Sequence, residues 1–150
     1  MQSLKKVGVA VYEFGAATAR VAMRGCVAEV TITGVLTERM LVALHMSGHD
    51  KLSGLGLRAL VLRLDRCVIA FHEDALIQVL DLIQLPGWMT GMPGAIVCNP
   101  DAVEMFGRFA WAAACAGVER AVFTDLLKAR AWSSLRGSEP DLGALMRRRA

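Results

Sequence analysis

Short apolar runs, typical of strands, dominate the first third of the chain. Val7 to Phe14 and Thr18 to Met23 predict two strands, and Arg24-Gly25 predicts the turn that follows them. The run from Val27 to Thr33 is β-branched and alternating, which predicts a third strand that we expect Gly34 to end. The chain is therefore expected to begin with three consecutive strands.

Helical spacing follows these strands. Met40, Leu41 and Leu44 recur at intervals that place them on one face of a helix. Thr37 precedes this face, and its hydroxyl can accept a hydrogen bond from a backbone N–H that lacks a partner in the first turn. We expect the first helix to begin there and to end or fray at Gly48.

The middle of the chain predicts a buried strand and then a second helix. Leu57 to Leu64 is dense in Leu and Val, which is typical of a strand buried on both faces. Asp65-Arg66 is expected to bend this strand before it continues extended to Phe71. The second helix is predicted to open at His72-Glu73-Asp74, because two acidic residues in a first turn favour the helix dipole. Its apolar face comprises Ala75, Leu76, Val79, Leu80 and Ile83.

Two further pairs of strand and helix are predicted in the last third. Residues 86 to 94 hold three glycines and two prolines and predict a loop, and Ala95 to Cys98 predicts a short strand. Asn99-Pro100 is a typical helix start. Ala121 to Phe123 is the last predicted strand, and Asp125 is expected to cap the last helix. The packed face of the third helix comprises Val103, Phe106, Ala110, Ala113, Ala114 and Gly117.

These elements give the order β-β-β-α-β-α-β-α-β-α. Strands that alternate with helices predict an α/β fold with a mixed sheet, largely parallel in its second half, and four helices. The length of 150 residues is near the usual size of one domain. We expect a single domain over residues 1–136 and a polar, basic tail over residues 137–150.

Composition and charge exclude several function classes. Apolar residues make up 55% of the chain, which is too many for a disordered protein. No apolar run reaches the roughly 18 residues that a membrane span requires. The net charge of +3 comes partly from Arg147-Arg148-Arg149, and no basic stripe with interleaved aromatic residues predicts nucleic-acid binding. Since no signal-peptide core is convincing, we expect a cytoplasmic protein, and we predict no cofactor.

Cysteine and histidine spacing gives little support for a metal site. The four cysteines are Cys26, Cys67, Cys98 and Cys115. They form no C-x-x-C pair, and we expect buried, reduced thiols without a disulfide. His45 and His49 are four residues apart on the first helix, a spacing that can bind zinc if a third ligand joins them. The alternative is an exposed polar helix end, and we predict no structural metal.

Four segments together carry a resemblance to a known family. They are VAEVTITG, LRALVLRLDRCVIAFHEDAL, PGAIVCNP and GVERAVFTDLLKARAW, and they extend from about Val27 to Leu135. Their order and residues resemble the STAS domains, the fold of bacterial anti-sigma-factor antagonists. The last segment is also similar to the end of SEC14-like bacterial chains. The resemblance implies a non-catalytic regulatory domain that binds another protein or a second copy of itself.

One position departs from the family pattern. In phosphorylation-regulated antagonists, the loop after the central strand carries an Asp, a phosphorylatable Ser or Thr, and a Gly at a helix start. The matching positions here are His72, Glu73, Asp74 and Ala75, and none carries a hydroxyl. We therefore expect residues 72–74 to bind a partner without phosphorylation. Glu73 and Asp74 either mimic a phosphorylated loop through their permanent charge or only stabilise a helix start.

Two alternative functions remain open. Trp88 and Met89 lie in the Pro- and Gly-rich loop, where they could anchor a partner or cover a pocket for a small apolar ligand or lipid, as the SEC14-like resemblance implies. LRALVLRLDRCVIAF is also similar to a strand of the crotonase family that leads into an oxyanion-hole loop containing A-G. The required glycine is missing after Phe71, and the chain is much shorter than a crotonase, so an enzyme is the less favoured hypothesis.

Overall fold

The computed structural model describes residues 9–84 and 92–138. In these two ranges, seven strands form one sheet: β1 (Val9–Phe14), β2 (Ala17–Arg24), β3 (Val27–Thr37), β4 (Ala59–Arg63), β5 (Cys67–Ala70), β6 (Gly94–Val97) and β7 (Arg120–Phe123). The same ranges contain four α-helices: α1 (Glu38–Leu52), α2 (Ala75–Ile83), α3 (Val103–Cys115) and α4 (Leu126–Ser138).

The sheet is antiparallel at its beginning and parallel thereafter. Its strand order is β1-β2-β3-β4-β6-β7, and β5 pairs with β3 beside β4. The first three strands form two hairpins, whereas β3, β4, β6 and β7 run parallel and are joined through helices. The predicted mixed α/β fold, parallel in its second half, is confirmed.

The third strand does not end at Gly34 as the sequence predicted. The strand continues to Thr37, and the N–H of Val35 donates to the carbonyl of Ala16 at 3.0 Å. At Gly34 the backbone φ is +90°, and a Cβ atom there would lie 2.2 Å from the carbonyl oxygen of Ala16. Glycine is therefore required by a close approach of two strands, rather than by the end of one.

The predicted bend at Asp65-Arg66 separates two strands that both pair with β3. Thr31 pairs with Arg63 and Gly34 pairs with Cys67, so three residues of one strand face two of the other. Such an extra residue is a β-bulge, which bends the strand. Arg63 stabilises the bend, because its guanidinium forms two hydrogen bonds with the Asp65 carboxylate, at 3.2 and 3.0 Å.

Each face of the sheet has its own core. Alternate residues of β4 divide between the faces, as expected of a strand buried on both sides. On one face, helix α4 covers a small core of Val27, Ala59, Val61, Ala95, Val97 and Ala129. Helices α1, α2 and α3 cover the other face, and their larger core includes Ile32, Leu36, Leu41, Val79 and Phe106.

Two of the three side chains that were predicted to cap helix N-termini do so. Met40 N–H donates to the Thr37 hydroxyl at 3.4 Å and Leu127 N–H donates to Asp125 at 2.9 Å, so these two predictions are confirmed. Asn99 makes no side-chain cap, and a short 3-10 turn, Pro100–Ala102, precedes α3. Gly48 lies inside α1, because the helix continues for another turn to Leu52.

Helix α2 begins later than predicted. Its first residue is Ala75, and residues 72–74 form the turn before it. No acidic residue lies in the first turn of α2, so the prediction that Glu73 and Asp74 belong to that turn is wrong; Asp74 is the N-cap residue, directly before the helix.

Helix α4 extends to Ser138, two residues past the predicted domain boundary at 136. The rest of the predicted tail lies outside the described residues. None of the helices in residues 9–84 and 92–138 has the length and apolar character needed to cross a membrane.

Candidate functional site

A cavity of about 120 Å³ lies between the sheet and the three helices that cover its larger core. It is partly open to solvent. The sheet contributes small and branched side chains such as Ala19, Val21 and Val30, and the helices contribute Leu76 and Phe106. A cavity of this size and lining can hold a small apolar molecule, since an engineered apolar cavity of about 150 Å³ binds benzene.

Polar groups in the cavity wall are basic or neutral. The ionisable side chains in the described part of the wall, apart from the Tyr12 phenol, are His45, His49, Lys51 and Arg120. None of the described lining residues is an aspartate or a glutamate. The Lys51 ammonium lies 4.7 Å from the centre of the Tyr12 ring, in a cation–π contact. The electrostatic character of the wall therefore favours a neutral or an anionic ligand.

Arg120 is the first residue of β7, and its side chain lies over Gly94, the first residue of β6. A Cβ atom at Gly94 would come within 3.1–3.2 Å of the Cδ, Nε and Cζ atoms of Arg120, so glycine leaves room for this guanidinium. The Nη1 atom donates to the carbonyls of Met92 at 2.7 Å and Glu119 at 2.8 Å. Burial lowers the pKa of Arg120 to about 10, which still leaves it charged at neutral pH.

The charge of Arg120 has no carboxylate partner among the described residues. Its hydrogen bonds go to backbone carbonyls, which carry no net charge. Its neighbour Glu119 instead forms an ion pair with Arg136, with 3.1 Å between Oε1 and Nε. Charges that are partly removed from water are normally paired, so this half-buried cation in a cavity wall is a candidate ligand contact.

His45 lies in the cavity wall close to this cation. Its Nδ1 atom donates to the Leu41 carbonyl at 2.8 Å, which leaves Nε2 as an acceptor in the neutral ring. Burial lowers the pKa of His45, and the positive charge of Arg120 lowers it further. The interpretation of His45 and His49 as an exposed helix end is therefore wrong for both, because each is half-buried and lines the cavity on the face that α1 turns toward the sheet.

No group of three or more potential metal ligands is found within residues 9–84 and 92–138. In the same residues the four cysteines are free. Cys67 in β5 and Cys98, directly after β6, are buried, and burial raises the pKa of both thiols. Cys26 and Cys115 are exposed, so the expectation of buried thiols is wrong for these two. Cys26 lies in the turn before β3, and Cys115 is on the outer side of α3.

The three predicted partner-binding residues, His72, Glu73 and Asp74, form a corner between β5 and α2, which we call the 72–74 corner. The N–H of Ala75 donates to the His72 carbonyl at 2.9 Å, and the N–H of Asp74 donates to His72 Nδ1 at 3.3 Å. The side chains of His72 and Asp74 are each 82% exposed. The corner therefore presents these two side chains to solvent in a fixed turn.

Glu73 differs from its neighbours because an arginine pairs with it, whereas His72 Nδ1 lies 3.4 Å from Asp74 Oδ2 within the corner itself. The Arg108 guanidinium on α3 binds both carboxylate oxygens of Glu73, at 2.9 and 2.5 Å. This hydrogen bonding holds the pKa of Glu73 below its ordinary value. Asp74 therefore carries most of the uncompensated negative charge of the corner, so a comparison with a phosphorylated loop rests mainly on Asp74.

The corner and the cationic end of the cavity lie at opposite ends of the sheet. The 72–74 corner follows the carboxyl end of β5, whereas Arg120 and Gly94 begin their parallel strands. Sequence reasoning missed Arg120, because an arginine next to Glu119 at a strand start resembles an ordinary exposed charge pair. The predicted loop residues Trp88 and Met89 lie outside the described residues.

Comparison with known proteins supports the fold. No family model matches the chain, and no curated protein matches it. Among solved structures, it is similar to an uncharacterised protein of the DUF3478 family from Shewanella loihica PV-4, described as having a SpoIIAA-like fold. The TM-score is 0.54 at 15% sequence identity, over 81% of this chain and 97% of that one. The predicted STAS-like architecture is thus confirmed, and the chain is a mixed α/β domain with a SpoIIAA-like fold.

Proposed function

We propose that this domain is a non-catalytic binding module that takes a small, largely apolar molecule into the cavity beneath α1, α2 and α3. The observation that carries the proposal is the cavity itself, about 120 Å³ in volume and lined mainly by aliphatic and aromatic side chains. Ligand sites in proteins are typically concave and apolar, with a few polar groups that orient the ligand. Here Arg120 and His45 are those polar groups.

The size of the cavity limits the ligand. Its volume is close to that of engineered cavities that hold one benzene ring. A single ring or an aliphatic chain of about six carbons therefore fits, and a longer molecule would extend through the open side. This size excludes a bulky cofactor inside the described cavity.

A cavity-filling substitution tests the proposal. Leu76 on α2 lines the cavity and is 5% exposed, whereas its neighbour Ile77 is 59% exposed. We expect Leu76→Trp to abolish binding of hexanamide or toluene, measured by ligand-observed NMR, because the indole occupies the ligand volume. Ile77→Trp is the matched control, since it adds the same ring to the solvent side of the same helix.

Two results would count against this function. The wild-type protein could fail to bind either neutral probe at millimolar concentration, or Leu76→Trp could bind them as well as Ile77→Trp does. Circular dichroism of both variants establishes that each is folded before the binding comparison is made.

A second candidate function is recognition of another protein, or of a second copy of the chain, through the 72–74 corner. It is supported by the exposure of His72 and Asp74 and by the bidentate Arg108–Glu73 pair, which fixes the position of one carboxylate. The corner also lies at the carboxyl end of a parallel strand, where partners and ligands of α/β domains commonly bind. This function is compatible with a cavity at the other end of the sheet.

Charge neutralisation at the corner tests this second function. We expect Glu73→Gln with Asp74→Asn to lose protein partners, or self-association, that the wild type retains, because the recognised charge is removed. The matched control, Glu13→Gln with Asp81→Asn, removes two exposed acids elsewhere. Pull-down with mass spectrometry and sedimentation velocity measure the two kinds of partner. Identical partners and identical sedimentation for wild type, corner variant and control would contradict a role for the corner.

A further inference from the structure

We infer that the ligand of the cavity is a small apolar carboxylate, such as a short fatty acid or an aromatic acid, whose carboxylate is bound by Arg120. The inference rests on the proposed function and adds the charge and the orientation of the ligand. The carboxylate lies at the amino ends of β6 and β7, and the apolar part extends beneath the three helices.

The first support is the unbalanced charge of the wall. Arg120 forms its hydrogen bonds with the neutral carbonyls of Met92 and Glu119, and the Glu119 carboxylate is engaged by Arg136. The described lining includes three further basic side chains and no acidic one. A bound carboxylate would supply the missing counter-charge where water is partly excluded, and a charge pair is strong in such a place.

The second support is that the chain makes room for this arginine. Gly94 stands opposite Arg120 in the register of β6 and β7, and any larger residue would bring a Cβ atom against the guanidinium. The two carbonyl acceptors fix Nη1, so the guanidinium is held in place before a ligand arrives. A preorganised cation costs less ordering entropy on binding than a mobile surface arginine does.

The third support is the geometric match between the guanidinium group of Arg120 and a carboxylate. A guanidinium presents N–H donors in a planar fork that fits the two oxygens of a carboxylate. A single carboxylate needs one such partner, and Arg120 supplies it. His45 adds a ring beside this cation that burial keeps neutral, because burial lowers its pKa, and its Nδ1 proton is bound to the Leu41 carbonyl.

Hexanoate and hexanamide provide the test, because they share a chain and differ in charge. By isothermal titration at pH 7.5, we expect the wild-type protein to bind hexanoate about tenfold or more tightly than hexanamide, as is typical of a hydrogen bond to a charged group. In Arg120→Gln this ratio should fall to about one while hexanamide affinity changes little, and Arg120→Lys should keep part of the preference. The control Arg20→Gln removes an exposed arginine of β2 and should leave the ratio unchanged.

The outcomes separate this inference from the proposed function. Equal affinity of the wild type for both probes, or an unchanged ratio in Arg120→Gln, would overturn the inference and leave the apolar cavity as a binding site. Failure of the wild type to bind either probe would overturn the proposed function and the inference together. The wild-type comparison needs no variant, so equal affinities would overturn the inference even if Arg120→Gln does not fold, and Arg120→Lys is the second variant that tests the role of Arg120.

Discussion

Two arginines near the core of this domain differ in the groups to which they donate hydrogen bonds. Arg130 on α4 binds both oxygens of Glu29, a residue of β3 that is 5% exposed, at 2.6 and 2.9 Å. That pair is complete in itself, since a buried carboxylate is stable only when it is paired and hydrogen-bonded. Arg120, in contrast, forms hydrogen bonds with carbonyls alone, and this difference distinguishes a structural arginine from a candidate ligand contact.

The Glu29–Arg130 pair makes a prediction about stability and pH. Hydrogen bonding to Arg130 holds the pKa of Glu29 below its ordinary value, so the pair stabilises the fold above the unfolded pKa of about 4.3. This stabilisation is lost as the pH falls through the lower, folded pKa. We expect Glu29→Gln to reduce the free energy of unfolding by about 1.5–3 kcal/mol at pH 7, and by progressively less below about pH 4.3.

Urea denaturation of the wild type and of Glu29→Gln at several pH values measures this difference in the free energy of unfolding. Glu13→Gln is the control, because Glu13 is an exposed glutamate of β1, and it should change stability by about 0.5 kcal/mol or less. A difference between wild type and Glu29→Gln that is constant from pH 7 to pH 3 would show that the carboxylate charge does not stabilise the fold.

At the scale of elements, helix α3 joins the two candidate sites. Its inner face contributes Phe106 and Phe109 to the cavity wall, and its Arg108 reaches the 72–74 corner. The predicted inner face of this helix was right at Phe106 and Ala113, both buried, but Ala114 and Gly117 are exposed. Alanine and glycine occur both in cores and at surfaces. Their pattern in the sequence therefore could not show where the buried face of this helix ends.

Helix α3 provides a matched test of its packing. Phe106 is 2% exposed and Trp111, on the same helix, is 72% exposed. We expect Phe106→Ala to reduce the free energy of unfolding by about 3–5 kcal/mol, because a large buried ring leaves a cavity. Trp111→Ala should change it by about 0.5 kcal/mol or less, as is usual at the surface. Chemical denaturation compares the two variants, and equal losses would show that α3 is peripheral to the core.

At the scale of the whole molecule, the sheet separates the two candidate sites. The cavity has its cationic end at the amino ends of the parallel strands, and the 72–74 corner lies beyond a carboxyl end. Helix α2 belongs to both, because it begins beside the corner and places Leu76 and Val79 in the cavity wall. The side of the sheet under α4 holds a compact core of small residues.

The sequence by itself determined the class and the order of elements. Strand and helix periodicities, the Thr37 and Asp125 caps and the bend at Asp65-Arg66 are local signals, each set by a few neighbouring residues. They were sufficient for a mixed α/β fold with a parallel second half. The same local signals failed at Gly34, because the reason for glycine there is the carbonyl of Ala16, a residue in the turn between β1 and β2.

Only the tertiary structure decided the candidate site. Arg120, Gly94 and His45 lie on three different elements, and no spacing along the chain connects them. The burial of Arg120 and the pairing of Glu119 with Arg136 both depend on how helices and strands pack. Sequence periodicity shows which side of an element is apolar, but a cavity is the space that several such sides leave unfilled. Its position and charge therefore exist only once the chain has folded.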